Sequence, residues 1–166
     1  MSVICQGCGA LHAAIEGAVH NYMLSSPGCW AQYGELLARE YQSPPLFASA
    51  HRYTVDAYAL QHPGAPDDRR AWQSVRLHYL SLHLVFAHKK SHSEALRAMQ
   101  TWASGDFAPL PDPPTKFEIT ISDLTAARDA DHALVAKRWA KSAYDAWGSL
   151  KAYAEKKQVS GVHRRN

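Results

Sequence analysis

The amino-acid sequence predicts a single mostly α-helical domain, a bundle of four to five helices with a zinc-knuckle N-terminus and at most a minor β element. Apolar positions recur at helical spacing through four long stretches, and proline and glycine clusters separate them. Only the first few residues and residues 116–121 show the pattern of a strand. A chain of 166 residues, 46% of them apolar or aromatic, is long enough for one domain with a substantial core. The ordered domain is expected over residues 1–157, with a disordered tail over residues 158–166.

Val3-Ile4 reads as a short strand running into Cys5-Gln-Gly-Cys8-Gly9, the form of a zinc knuckle, in which glycines let backbone amides approach thiolate sulfur. Residues 10–24 are open between helix and irregular chain, because their alanines favour helix while Gly17 and uneven apolar spacing oppose it. Ser25-Ser26-Pro27 supplies a helix start, and Trp30, Tyr33, Leu37 and Tyr41 follow at helical spacing with Cys29 in the first turn. Ser43-Pro44-Pro45 ends that helix and reverses the chain into a second, from Leu46 to His62, stopped by Pro63-Gly64. The two form an antiparallel hairpin. On the second helix Phe47, His51, Val55, Tyr58 and His62 share a stripe expected to face the interior, whereas Asp56 projects away and pairs with Arg52 one turn earlier.

Residues 63–70 read as a solvated loop. A third helix is expected from about Ala71 to Ala87, with Ser74, His78, Leu82 and Val85 on one face. Ser91-x-x-Glu94 fits a capping box opening a shorter helix to about Ala103, closed by Gly105. The proline-rich stretch 106–115 is a loop. Phe117, Ile119 and Ile121 then alternate as in a strand that could pair with the N-terminal one, and Ser122 or Asp123 caps a single helical turn. Asp129 is the candidate cap of a last long helix to about Lys156, whose stripe includes His132, Val135, Trp139, Ala143, Trp147 and Leu150.

The net charge of +3, with basic residues scattered, disfavours nucleic acid as a partner. No glycine-rich phosphate loop, Gly-x-Ser-x-Gly elbow or basic aromatic patch is present. No window approaches the roughly 18 apolar residues of a membrane span, and no leader-like segment opens the chain, so a cytoplasmic protein with no membrane association is expected. Three cysteines, two of them as Cys-x-x-Cys, suggest metal or redox use in a reducing compartment, and the βαβ pattern of a thioredoxin is missing. Of the ten histidines, His12, His88, His92 and His163 lie in polar contexts and read as surface residues.

The Cys-x-x-Cys-Gly turn, SPGCW, HRYTVDAYALQHPG and QSVRLHYLSLHL together resemble a bacterial family of small proteins known as a domain of unknown function. The resemblance is clearest from Cys5 to Leu84 and weaker from Lys89 to Pro114 and in the tail. The family pattern includes the two knuckle cysteines, the cysteine before tryptophan and the histidines matching His51, His62 and His78. It implies a common fold and a shared metal, and no activity.

Level-matching along the helical hairpin selects among the candidates. At 1.5 Å per residue Cys29 lies about 20 Å from the Pro44-Pro45 turn and His62 about 24 Å, whereas His51 lies only about 8 Å away. Cys5, Cys8, Cys29 and His62 are therefore the expected ligands of a tetrahedral Zn²⁺, with His20 and His78 as alternatives for the fourth position and iron as an alternative metal. Such a site has no open position and would be structural. The bland alternatives are Cys29 as a small buried apolar residue and His62 as a helix C-cap. A second constellation of His51, Tyr58 and His78, joined by Gln73, Ser74 and His132, could line a pocket between helices. It would suit a metal-dependent hydrolase or transferase, against a plainer role as hydrogen-bonded core histidines. Whether the protein is an enzyme stays open, as does its protein or small-molecule partner.

Overall fold

Helix boundaries fall where short polar residues and prolines put them. The computed structural model describes residues 1–162, with side chains through Gln158. Helix α1 (Pro27–Gln42) begins with Ser26 accepting a hydrogen bond from the Cys29 amide at 3.2 Å and with proline in its first turn. Ser43 separates it from α2 (Pro44–Gln61), which starts at the first of the two prolines and stops at His62. Asp68 caps α3 (Arg69–Phe86) through the Arg70 amide. The predicted capping box is present at α4 (His92–Trp102): Ser91 and Glu94 each accept the other's backbone N–H.

Strand β1 (Ser2–Ile4) pairs antiparallel with β2 (Leu11–Ala13), in the register Ser2 to Ala13, Val3 to His12 and Ile4 to Leu11. This corrects the expectation that the N-terminal strand pairs with residues 116–121, which form no strand. The Cys5 amide donates to the Ala10 carbonyl at 2.9 Å and the Gly9 amide to the Cys5 carbonyl at 3.0 Å, with Gly9 at φ 76°. The Cys-x-x-Cys-Gly turn thus folds the chain back onto its immediate neighbour, at a far smaller loop-closure cost than reaching residues 116–121. The alternation at Phe117 and Ile121 reflects burial of an irregular segment, and the Ile119 carbonyl accepts from Gln61 Nε2 at 2.7 Å.

Helix α5 (Ile121–Ala126) follows, with Thr120 and not Ser122 or Asp123 at its N-cap; Asp123 accepts the Thr120 amide instead. Helix α6 (Asp129–Ala146) is capped by Arg128, not Asp129. The last long helix expected to run to Lys156 is broken: a 3₁₀ turn at Gly148–Leu150 precedes α7 (Lys151–Val162). Trp147 leaves helical geometry at ψ 30°, where glycine follows. The described residues accordingly hold seven α-helices where four to five main ones are predicted. Helix α7 continues past residue 157, and of the tail expected at 158–166, residues 163–166 lie outside the described residues, His163 among them.

Helix α2 occupies the middle, packed against α1, α3 and α6, while α4 and α7 lie on α3 and α5 on α1 and α6. The core gathers Tyr58, Leu60, Tyr79, Leu80, Trp139 and Trp147, all buried. Because α2 is covered from several sides, Thr54 and every residue from Asp56 to His62 are buried, while Val55 is only half-buried. The single inward stripe expected on α2 is therefore too narrow, and Phe47, at 43% exposure, lies outside the core. No helix of the described residues is long and apolar enough to cross a membrane.

Candidate metal centre

The two hairpins meet at one end of the bundle. The β1–β2 turn contributes Cys5 and Cys8, the first turn of α1 contributes Cys29, and the C-cap of α2 contributes His62. All four are buried, at 1%, 3%, 0% and 1% exposure, which takes any ion between them out of solvent. His62 Nε2 lies 3.3 Å from Cys29 Sγ and 3.6 Å from Cys5 Sγ, and Cys8 Sγ lies 4.0 Å from Cys29 Sγ. One ligand atom from each residue falls within 4.8 Å of all the others, a group able to hold a metal ion. A tetrahedral ion with bonds of about 2.3 Å to sulfur and 2.0–2.1 Å to nitrogen has ligand edges of about 3.5–3.8 Å, close to these spacings.

The surroundings orient the donors. His62 Nδ1 donates to the Tyr58 carbonyl at 2.8 Å, which turns Nε2 toward the sulfurs. Capping the helix thus uses one nitrogen of the ring and leaves the other available to a metal. The imidazole stacks on the Tyr58 ring at 3.8 Å, and Tyr58 stacks on Tyr33 at 3.8 Å. The Tyr58 hydroxyl stands 3.7 Å from Cys29 Sγ, and the Ser26 amide donates to Cys5 Sγ at 3.4 Å. Gly7 lets the turn lie against α2: a Cβ there would collide with the His62 ring and meet the Leu24 carbonyl at 2.5 Å and the Gln61 carbonyl at 2.8 Å.

Three thiols this close cannot all ionise without a cation among them. Hydrogen bonds from Cys29 and Cys8, with help from His62 and the Ser26 amide, hold the Cys5 thiol far below its ordinary range against the opposing effect of burial. Its hydrogen bond to Cys5 first, then that to Cys8 and burial, push the Cys29 thiol far up. For Cys8 the lowering effect of Cys29 is outweighed by the hydrogen bond with Cys5 and by burial, and its pKa rises to about 11. All three cysteines are free of disulfides.

His20, the rival fourth ligand, accepts the Tyr22 and Met23 amides on Nδ1 at 3.3 and 3.2 Å and is outside the group. His12 departs from its surface reading: it is 6% exposed, with Nε2 3.8 Å from Cys8 Sγ. Strand alternation carries that signal, since β2 turns His12 inward between exposed Leu11 and Ala13.

The second predicted constellation is divided. Asp56 is fully buried, correcting its outward assignment, and accepts from Arg52 at 2.5 Å, His78 Nδ1 at 2.6 Å and Ser81 Oγ at 2.8 Å. Glu40, also fully buried, accepts from Thr54 at 2.6 Å and pairs with His51 Nδ1 and His132 Nε2, both at 2.9 Å. Tyr58 belongs to the cysteine cluster. Gln73 donates to the Ala103 carbonyl, and Ser74 Oγ has no partner among the described residues. His51, Tyr58 and His78 therefore serve three separate networks. The sequence patterns hid both carboxylates, because a buried Asp or Glu leaves no hydrophobic periodicity.

No curated protein and no solved structure matches the chain. The sequence profile of the family of unknown function DUF5946 matches residues 3–148, a span holding all four cysteine and histidine donors, and the chain belongs to that family.

Proposed function

We propose that Cys5, Cys8, Cys29 and His62 hold one Zn²⁺ whose role is structural, fastening the N-terminal β-hairpin to the open end of the α1–α2 pair. The observation that carries this reading is the convergence of four buried donors, from three separate segments, within 4.8 Å of one another. A set of three thiolates and one imidazole suits zinc and leaves no coordination position for a substrate. The hairpin also needs such a fastening, for Val3, Ile4 and Leu11 are exposed at 38%, 69% and 67% and contribute little packing. The protein on this reading is a small cytoplasmic zinc protein whose partner, a protein or small molecule, is still to be identified.

The metal-dependent enzyme reading has weaker support, since His51 and His78 each face a buried carboxylate in place of a shared pocket. Metal analysis of dialysed protein separates the two. About one tightly held zinc per chain, lost in Cys8→Ser and kept in His78→Ala, supports the structural role. Zinc that survives Cys8→Ser and disappears in His78→Ala overturns it.

A further inference from the structure

At the opposite helix ends a second group of donors stands apart from the cysteines. We infer that His83, His88 and Glu155 form a surface site for an exchangeable divalent transition-metal ion, with one coordination position left to water or a small ligand. His83 lies in the last turn of α3. The helix ends at Phe86, and His88, two residues further on, lies with its ring 5.0 Å from that of His83. Glu155 reaches them from α7.

The spacings are those of a coordination sphere. His83 Nε2 and His88 Nε2 are 3.3 Å apart, Glu155 Oε1 is 3.4 Å from His83 Nε2, and Glu155 Oε2 is 3.7 Å from His88 Nε2. Tetrahedral bonds of about 2.0–2.1 Å to nitrogen and oxygen give edges of about 3.3–3.4 Å. One atom from each residue lies within 4.8 Å of the other two. His83 is already oriented: it is 1% exposed, and its Nδ1 is 2.8 Å from the Tyr144 hydroxyl, so a metal-bound ring would donate there and leave Nε2 for the ion. His88 and Glu155 are accessible, their side chains 32% and 49% exposed, so an ion can enter from solvent.

Charge is divided. Glu155 and the carbonyl end of α3 favour a cation, while Lys151 acts on His83 in the opposite sense. Two imidazoles and one carboxylate form the three-ligand set that leaves zinc an open position, in contrast to the closed cysteine site. A hydrogen bond between the two histidines would give the same Nε2 spacing without any metal, and the test must separate them.

Zinc-loaded, dialysed protein is titrated with Zn²⁺ by calorimetry, with ¹H–¹⁵N spectra of the histidine side chains recorded in parallel. A second equivalent should bind, shifting the Nε2 resonances of His83 and His88. His88→Ala and Glu155→Gln, at accessible positions, should each weaken that event at least tenfold without disturbing the first zinc. Tyr144→Phe should weaken it by about tenfold while keeping the stoichiometry, as loss of an orienting partner does. Absence of a second equivalent, or one whose affinity is unchanged in both His88→Ala and Glu155→Gln, overturns the assignment.

Discussion

Replacing Cys8 by serine takes one thiolate from the proposed zinc sphere while preserving size. Structural zinc in small domains contributes about 10–16 kcal/mol, so an even division over four ligands assigns each about 2.5–4 kcal/mol, or roughly two to three orders of magnitude in affinity. Ordering the dozen residues of the β-hairpin costs on the order of 12 kcal/mol at about 1 kcal/mol each, and its apolar side chains Val3, Ile4 and Leu11 are left exposed. Packing alone does not offset that cost. In Cys8→Ser the hairpin should therefore detach while the α2, α3 and α6 core, which includes Trp139 and Leu80, stays formed. Hydrogen exchange reads this directly, because the Cys5, Gly9 and Ala14 amides are hydrogen-bonded only within residues 1–14. Their protection should fall at least a hundredfold, with the amides of α2 and α6 little changed. Full protection of Cys5 and Gly9 in this variant, or in chelated wild-type protein, would refute the fastening role.

Zinc uptake should release protons, since Cys8, at about 11, and Cys29, raised further, are thiols at neutral pH and bind the metal as thiolates. Affinity therefore rises as pH rises and is lost as pH falls, which calorimetry in buffers of different ionisation enthalpy measures; a proton count near zero contradicts the assigned thiols. Glu40→Ala should destabilise the fold by about 3–5 kcal/mol in chemical denaturation, because His51, Thr54 and His132 lose a shared buried acceptor. Trp147→Phe should cost about 1–3 kcal/mol more than Trp139→Phe: Trp147 donates to the Leu60 carbonyl at 2.7 Å, whereas the Trp139 indole N–H has no partner among the described residues.

The cysteine cluster was legible in the sequence because it depends on rigid distances. Two prolines set the α1–α2 reversal and helical rise did the rest, so Cys29 and His62 could be matched by level and His51 sent to the other end, where it meets Glu40 near the turn. Features that depend on how many neighbours a helix has were not legible. Amphipathic periodicity assumes one buried face, and α2 has several, so the pattern turns Asp56 away from the inward stripe although its carboxylate, paired with Arg52 as the spacing predicts, is enclosed. The strand pairing departs from the pattern for another reason. Alternation in residues 116–121 reports burial alone and does not name a pairing, which local closure through Gly9 decides. His83, His88 and Glu155 carry no shared motif and meet only through the packing of α7 on α3.

The central claim concerns which atoms surround the ion, and X-ray absorption at the zinc edge of the purified protein measures that. Three sulfurs at about 2.3 Å with one nitrogen at about 2.0–2.1 Å are predicted. A zinc bound mainly to nitrogen and oxygen, or protein with no tightly held metal and no loss of hairpin protection on chelation, would contradict it.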